Sequence, residues 1–345
     1  MNFTLSKPLK LSFVIFSIIF LQNCKKNSVP NNDAKTFVVS TFVGNSNRTT
    51  TDGTGTAASF AQLGNMMTID ANGNLFVADG MNGTIRKITS DGIVTTFITN
   101  TLVNGYYNGF LVRCNGLVAD LNGNIIITND SGYVVKIAAT GIFNPIIPYT
   151  IGEPFGITSD GSGNFYIACN SPGLIRKITS TGTGTTIAGS GQPEATIDGT
   201  GTSASFIAPT GICIDSKGNL FVTDRDDNKI RKITPAGVVT TFAGSANKGS
   251  ADGMGQAASF FEPWGIAIDA SDNLYVADAG NRIIRMITPD AKVTTIAGTA
   301  GKNGNTDGSG SVATFGSPAG IAIDKKGNIY VSDPGYNVIR KITFQ

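Results

Sequence analysis

Histidine is absent from this 345-residue chain. The imidazole is a frequent zinc ligand and the side chain best suited to acid–base catalysis near neutral pH. Its absence therefore argues against zinc sites and histidine-dependent chemistry. Charged residues make up only 14% of the chain, and the formal net charge is +2. Because no block of like charge stands out, we expect no nucleic-acid partner.

Cysteine is also scarce, with four in the chain and no spacing typical of a disulfide framework. Cys24 lies near the N-terminus, apart from Cys114, Cys169 and Cys213. We interpret these three as small core thiols. A single disulfide is the alternative if the protein is exported.

What the chain has instead is repetition. The segment GNLFVADGMNGTIRKIT at 73–89 returns as GNLFVTDRDDNKIRKIT at 218–234 and as GNIYVSDPGYNVIRKIT at 327–343. An aspartate closes a short apolar run in each unit, at Asp70, Asp120, Asp160, Asp215, Asp269 and Asp324. Their spacing defines six units of roughly fifty residues.

Each unit predicts four short strands, at 211–215, 219–224, 229–234 and 238–244 in the fourth unit. Glycine turns such as SKGN join the first two strands. The first two strands are almost continuously apolar, which indicates sheets covered on both faces. The sixth unit lacks its fourth strand, and residues 36–44 match it. We therefore predict an all-β fold, a six-bladed β-propeller over residues 36–345 closed by an N-terminal strand that completes the last blade.

The consensus PxGIxIDxxGNLYVxDxxNxxIRKIT, followed by VTTxAG and preceded by DGxGxxAxF, resembles the NHL repeat in its bacterial and teneurin-like form. The resemblance covers residues 36–345. It implies a propeller that binds proteins, glycans or RNA, and indicates the fold better than the activity. Units two and three depart from the pattern, because GYVVKIAATG lacks the arginine and Asn170 is expected to replace the aspartate.

The first residues form a different segment. Lys7 and Lys10 precede an apolar run at 11–21, which is typical of a signal peptide over residues 1–23. LQNC at 21–24 resembles a bacterial lipobox, so we expect a lipid on Cys24 and a lipidated tether over 24–35. The alternative is an ordinary secretory signal with Cys24 incidental. The prediction is an exported monomer, attached through its lipid anchor to a bacterial membrane, at the outer membrane or cell surface.

Acidic and basic residues recur in nearly every unit. Asp79, Asp224, Asp278 and Asp333 end second strands, and Arg86, Arg231, Arg285 and Arg340 lie in third strands. A group present in most blades is more simply a scaffold device than a charged binding ring. DGTGTAASF at 52–60 and its echoes predict a turn, and a calcium loop is the alternative.

We expect a ligand-binding site at positions where equivalent residues of the six units differ and lie on one face of the ring. Loops that enter the first strands share a rim with loops between second and third strands. The residue at the channel mouth is, in order, Asn65, Asn115, Phe155, Thr210, Trp264 and Ala319. Around them we place Arg113, Glu153, Glu262, Tyr133, Arg225, Asp226, Asp227, Arg282 and Tyr336. Aromatics mixed with arginine are typical of binding surfaces, although Phe155 and Trp264 could instead cap the channel.

The sequence thus favours a non-enzymatic envelope lipoprotein whose rim binds a protein, peptide or glycan, without catalytic residues or cofactor. The resemblance also implies an alternative, a calcium-dependent lactonase or hydrolase of the gluconolactonase type. Its calcium would be held by carboxylates and carbonyls at the channel mouth, with no obligatory histidine.

Overall fold

A computed structural model of the chain describes Met1 and residues 36–80, 83–99, 102–103, 106–107, 114–138, 140, 143–147, 150–192 and 195–345. Six antiparallel sheets succeed one another along the sequence, and each forms one blade. The predicted six-bladed β-propeller is confirmed. None of the described residues belongs to a helix with the length and apolarity of a membrane span.

The strands follow one order in every complete blade, from the inner edge to the outer edge. In chain order they are β1 (Phe37–Val43), β2 (Gly53–Thr54), β3 (Leu63–Ile69), β4 (Leu75–Asp79), β5 (Thr84–Ile88), β6 (Ile93–Thr99), β7 (Leu102–Val103), β8 (Tyr106–Tyr107), β9 (Cys114–Ala119), β10 (Ile125–Asn129), β11 (Val134–Ile137), β12 (Phe143–Pro145), β13 (Glu153–Ser159), β14 (Phe165–Ser171), β15 (Leu174–Ile178), β16 (Gly184–Ala188), β17 (Gly199–Thr200), β18 (Pro209–Ile214), β19 (Leu220–Asp224), β20 (Lys229–Ile233), β21 (Val238–Ala243), β22 (Gly253–Met254), β23 (Pro263–Ile268), β24 (Leu274–Asp278), β25 (Ile283–Ile287), β26 (Lys292–Ala297), β27 (Gly308–Ser309), β28 (Ile321–Ile323), β29 (Ile329–Asp333) and β30 (Val338–Phe344). Short 3-10 turns lie at Gly55–Ala57, Gly201–Ser203, Gly255–Ala257 and Ala279–Asn281.

Blades 1 to 5 are β2–β6, β9–β12, β13–β16, β17–β21 and β22–β26, and blade 6 combines β27–β30 with β1. The inner strand runs from the face that we call the rim to the opposite face, the turn face. On the turn face an aspartate locks each inner hairpin. In blade 4, Oδ1 of Asp215 accepts the N–H groups of Lys217 (2.9 Å) and Asn219 (2.7 Å). Such side-chain turns explain why this aspartate recurs in all six units.

Strand β1 closes the ring. It pairs antiparallel with β30 from Phe37 opposite Phe344 to Val43 opposite Ile339, and its other edge pairs with β27. The N–H of Gln345 donates to the carbonyl of Thr36 at 3.0 Å, so the two ends of the described ring meet. The predicted closure by an N-terminal strand is confirmed, and β30 is paired along both edges, with β29 and with β1.

The repeated DG segments fill the space between blades. Phe60 is fully buried with Val43 and Tyr330 of blade 6 and with Val77 of blade 1. Each such ring lies under the guanidinium of a buried arginine, with a distance of 5.3 Å between Arg86 Cζ and the Phe60 centroid. The equivalent rings are Phe206, Phe260 and Phe315.

The buried arginines tie each DG segment to its own blade. Arg285 has no solvent-exposed surface. Its Nη1 donates to Asp278 and to the Ser259 carbonyl, both at 2.9 Å, and its Nη2 donates to Asp252 and to the Ala251 carbonyl, also both at 2.9 Å. Arg86, Arg231 and Arg340 repeat this pattern. The carboxylate of the DG segment is therefore committed to an arginine, which supports the scaffold interpretation over a calcium loop.

Blade 3 corrects one alignment made from the sequence. Ile167 lies opposite Arg176, as Val222 lies opposite Arg231 in blade 4. By this register Cys169, and not Asn170, occupies the place of the repeated aspartate. The buried thiol stands where other blades carry a carboxylate, and burial raises its pKa to about 12. Because both residues belong to one strand, the sequence alone left the register ambiguous by one position.

We expect the free energy of unfolding to fall as pH rises from about 4 to about 6. Burial raises the pKa of Asp224 and of Asp278 to about 6, although the nearby N–H donors and arginines oppose it. Between the ordinary value of about 4 and this folded value, the folded state binds more protons than the unfolded state. Stability is therefore lost as pH rises, by up to about 3 kcal/mol per carboxyl.

Thermal unfolding at pH 4.5 and pH 6.5 (about the edges of this window) tests the prediction. The chain has no histidine to titrate in this range. A variant with Asp224→Asn and Asp278→Asn should show a flatter dependence on pH. An unchanged slope in that variant would assign the effect to other groups.

Candidate binding rim

Inner-strand glycines bring the mouth residues close together. A Cβ atom added to Gly116 would lie 2.0 Å from the Phe155 carbonyl oxygen of the next blade, and one on Gly211 would lie 2.5 Å from that of Trp264. Gly156, Gly265 and Gly320 make the same approach to the blade that follows them. Only glycine allows this distance, so the six predicted mouth positions form one ring around the axis.

Below this ring the central channel is narrow, and its lining side chains are apolar. The space has a volume of about 40 Å³ and is lined by glycines and by Met66, Met67, Leu117, Ile157, Ile212, Ile266 and Ile321. It has room for little more than a single water. A cation on the axis would find no carboxylate among these described lining residues.

Equivalent mouth positions differ in burial. The ladder register shifts at the same place in blades 4 and 5, between Pro209 and Ile212 and between Pro263 and Ile266, so it does not distinguish the two blades. Thr210 lies fully inside the protein, with its hydroxyl 3.0 Å from that of Thr223, whereas the larger Trp264 is only partly buried. The structure therefore removes Thr210 from the rim surface.

Three predicted residues form an aromatic and cationic cluster at the mouth. The rings of Phe155 and Trp264 meet edge to face, with centroids 6.2 Å apart. The guanidinium of Arg225 lies 4.9 Å from the centroid of the Trp264 ring, and its Nε donates to Asp226 at 2.7 Å. Arg225 is thus held over the indole face, the geometry of a cation–π pair.

Trp264 also covers the channel. Although it belongs to blade 5, its half-buried indole packs against the core cluster that contains Met66 and Leu117 of blades 1 and 2. Its Nε1–H is buried and has no acceptor among the described residues. An unpaired buried donor lowers the free energy of unfolding by about 1 to 3 kcal/mol. The packing of the Trp264 ring over the channel must offset this cost. The cap interpretation therefore holds for Trp264 at least in part, and Phe155 lies beside it with a similar partial exposure.

Beside Phe155 lies a polar depression of about 290 Å³ between blades 1, 2 and 3. Its lining includes the predicted residues Asn65 and Asn115. Nδ2 of Asn115 donates to Asp130 at 2.6 Å and to the Pro154 carbonyl at 3.1 Å, which fixes the orientation of the amide. We name this depression the polar pocket.

Sequence reasoning missed two members of this pocket, Gln62 and Asp130. Asp130 directly follows the second strand of blade 2, so listing every residue of the rim loops would have found it. Gln62 precedes an inner strand by one residue, a position that the repeat alignment did not examine.

The other predicted rim residues are dispersed. Glu153 and Glu262 are exposed, and Tyr133 packs against the same core cluster as Trp264. Arg282 ties blade 5 to blade 6, because Nη1 donates to the carbonyl of Gly316 and, at 3.3 Å, to Oδ1 of Asn303. Tyr336 packs where a side chain on Gly316 would be. The contacts of Arg282 link two blades, whereas Tyr336 and Gly316 both belong to blade 6. Arg113 and Cys24 lie outside the described residues.

Comparison with known proteins agrees with this architecture. The family model of the NHL repeat matches residues 206–233, which span β18, β19 and β20 of blade 4. The chain is 32% identical over 205 residues to human NHL repeat-containing protein 2, covering 55% of this chain and 28% of that protein. The chain thus spans about a quarter of the length of the curated relatives it matches.

Solved structures share the fold of this propeller. An auxiliary nutrient binding protein from Bacteroides thetaiotaomicron is 18% identical, with a TM-score of 0.71 over 90% of this chain and 77% of the other. A putative gluconolactonase is 12% identical, with a TM-score of 0.58 over 90% of this chain and 92% of the other. At these identities the likeness is one of fold, and function has to be argued from the rim.

Proposed function

We propose that this NHL propeller is a non-enzymatic binding protein whose rim captures a protein, peptide or glycan outside the cell. The observation that carries the proposal is the cluster of Phe155, Trp264 and Arg225 beside the polar pocket. Trp264 covers the channel, but the repeated scaffold does not require Phe155 and Arg225 beside it. Half-exposed aromatics with a neighbouring arginine are the residues that most often dominate binding energy.

The residues that line the channel help to decide between a binding function and the lactonase alternative. A calcium-dependent lactonase of this fold would need carboxylates that converge at the mouth, and the described channel lining offers only apolar side chains and glycines. Glu153 and Glu262 are exposed on different blades, in β13 and next to β23. No specific contact therefore favours the catalytic alternative, whereas the rim cluster favours binding.

Replacing Phe155 by Ala is expected to weaken retention on immobilised envelope and extracellular-matrix fractions by about 2 kcal/mol, or roughly 30-fold. The reason is that Phe155 is half-exposed at the centre of the cluster, so a bound partner would cover it. Surface-based binding and thermal unfolding are measured on the same samples. Phe344→Ala, which removes an exposed ring from the turn face, is the matched control.

Two results would contradict the proposal. Equal retention of Phe155→Ala and wild type would remove the cluster from any binding role. A lower unfolding temperature with unchanged retention would make Phe155 a channel cap together with Trp264.

We also propose that the protein is exported and anchored through a lipid on Cys24. The motif LQNC and the preceding apolar run support this proposal. Cys24→Ser should abolish incorporation of radiolabelled palmitate and leave a full-length precursor. Labelling that persists in this variant would show that the lipid, if any, is attached elsewhere.

A further inference from the structure

The polar pocket has a composition unlike the other inter-blade spaces. Its lining combines the half-exposed ring of Phe155 with three amide side chains, Gln62, Asn65 and Asn115, and with the carboxylate of Asp130. The grooves of 440 to 480 Å³ on the turn face instead contain the aspartates that lock the inner hairpins, together with lysines. The pocket is therefore the one described space on the rim where neutral polar groups surround an aromatic ring.

These amides are available to a ligand. Gln62 and Asn65 are exposed, and their side chains make no hydrogen bond to the described residues. Asn115 uses its Nδ2 for Asp130 and for the Pro154 carbonyl, which leaves Oδ1 as an acceptor of fixed orientation. An amide presents a donor and an acceptor in one plane, and a hydroxyl group can satisfy both.

The carboxylate of Asp130 accepts a hydrogen bond from Asn115 at 2.6 Å, which fixes the relative positions of these two groups in the pocket. A ligand that both donates and accepts hydrogen bonds fits this lining.

The ring of Phe155 gives the pocket an aromatic surface. The face of an aromatic ring carries negative charge density, and it attracts the weakly positive C–H groups on one side of a pyranose. Trp264 contacts Phe155 edge to face, and Arg225 covers Trp264, so the position of the ring is set by its neighbours. A volume of about 290 Å³ is at the small end of ligand pockets, which suits one or two sugar rings and not a folded partner.

We infer that the polar pocket is a carbohydrate site that takes one or two rings of a saccharide, stacked on Phe155 and held by the amides of Asn65, Gln62 and Asn115. This inference rests on the proposed function, because it names the ligand class of the same rim.

The single tryptophan makes a direct test possible. Trp264 is the only tryptophan in the chain and contacts Phe155, so its fluorescence reports on this site alone. The full chain, in a zwitterionic detergent without a sugar headgroup, is titrated with maltose, cellobiose, lactose, N,N′-diacetylchitobiose and their longer oligomers. We expect a saturable change with at least one of these probes.

Variants locate the ligand. Phe155→Ala and Asn65→Ala should each raise the apparent Kd at least about 10-fold, whereas Phe344→Ala on the turn face should leave it unchanged. Asn65 is exposed and its side chain makes no internal hydrogen bond, so its replacement leaves folding intact even if Phe155→Ala does not. A saccharide response that neither variant weakens would place the sugar elsewhere and overturn the inference.

Failure of the inference and failure of the proposed function can be told apart. If no saccharide changes the fluorescence while Phe155→Ala still loses retention on envelope fractions, the rim binds a protein or peptide and the carbohydrate site is refuted. If no saccharide changes the fluorescence and Phe155→Ala is retained as well as wild type, both the carbohydrate site and the proposed binding function are refuted.

Discussion

Removal of residues 36–44 is expected to abolish cooperative folding of the ring. The deletion takes away β1, which pairs with β30 along its whole length and buries Val39 and Val43. It would leave the backbone edge of β30 unpaired and expose the apolar side chains that pack against β1. We expect a broad, low-temperature transition by circular dichroism, together with binding of a dye that reports exposed apolar surface.

A synthetic peptide of residues 36–44, added in excess, provides the control. If β1 acts by pairing, the peptide should restore a sharp transition whose midpoint rises with its concentration. A truncated protein with an unchanged melting curve would show that closure does not depend on this strand.

The second large effect is expected from Arg285→Met, which should lower the free energy of unfolding by about 3 to 5 kcal/mol. The change removes the partner of the fully buried Asp278, and it leaves the carbonyls of Ser259 and Ala251 without their donor. Methionine fills a similar volume, so the loss reflects an uncompensated charge and unpaired carbonyls more than a cavity. Denaturant unfolding with a two-state fit measures it.

Blade 3 offers a matched control for this prediction. Arg176 occupies the equivalent strand position, but its blade carries Cys169 in place of the aspartate, and Arg176 forms no salt bridge among the described residues. Arg176→Met should therefore cost much less, on the order of 1 kcal/mol. Similar losses at the two positions would mean that the arginines act through packing and not through their carboxylates.

Much of the fold could be predicted because the same local pattern recurs six times. Each unit gives its own turn signal and its own pair of buried strands, and agreement among units corrects the ambiguity of any single one. The closing strand was also predictable, because residues 36–44 match the strand that the sixth unit lacks. The order of the blades around the ring was predictable as well, because successive units of the sequence form neighbouring blades.

The burial and contacts of rim side chains could not be obtained in this way. Thr210 and Trp264 hold the same place in the alignment, yet the small threonine is buried against Thr223 and the large indole crosses the channel mouth. The contact of Arg282 with Gly316 belongs to the neighbouring blade and leaves no local signal.

The direction of β1 determines on which face of the ring the polypeptide enters the propeller. Because β1 runs antiparallel to β30, and the end of β30 lies on the turn face, the polypeptide joins the ring at Thr36 on that same face. Thr36 therefore lies on the side of the ring opposite Phe155, Trp264 and the polar pocket. A tag or fusion joined directly before Thr36 would meet the ring on the turn face and not at the rim.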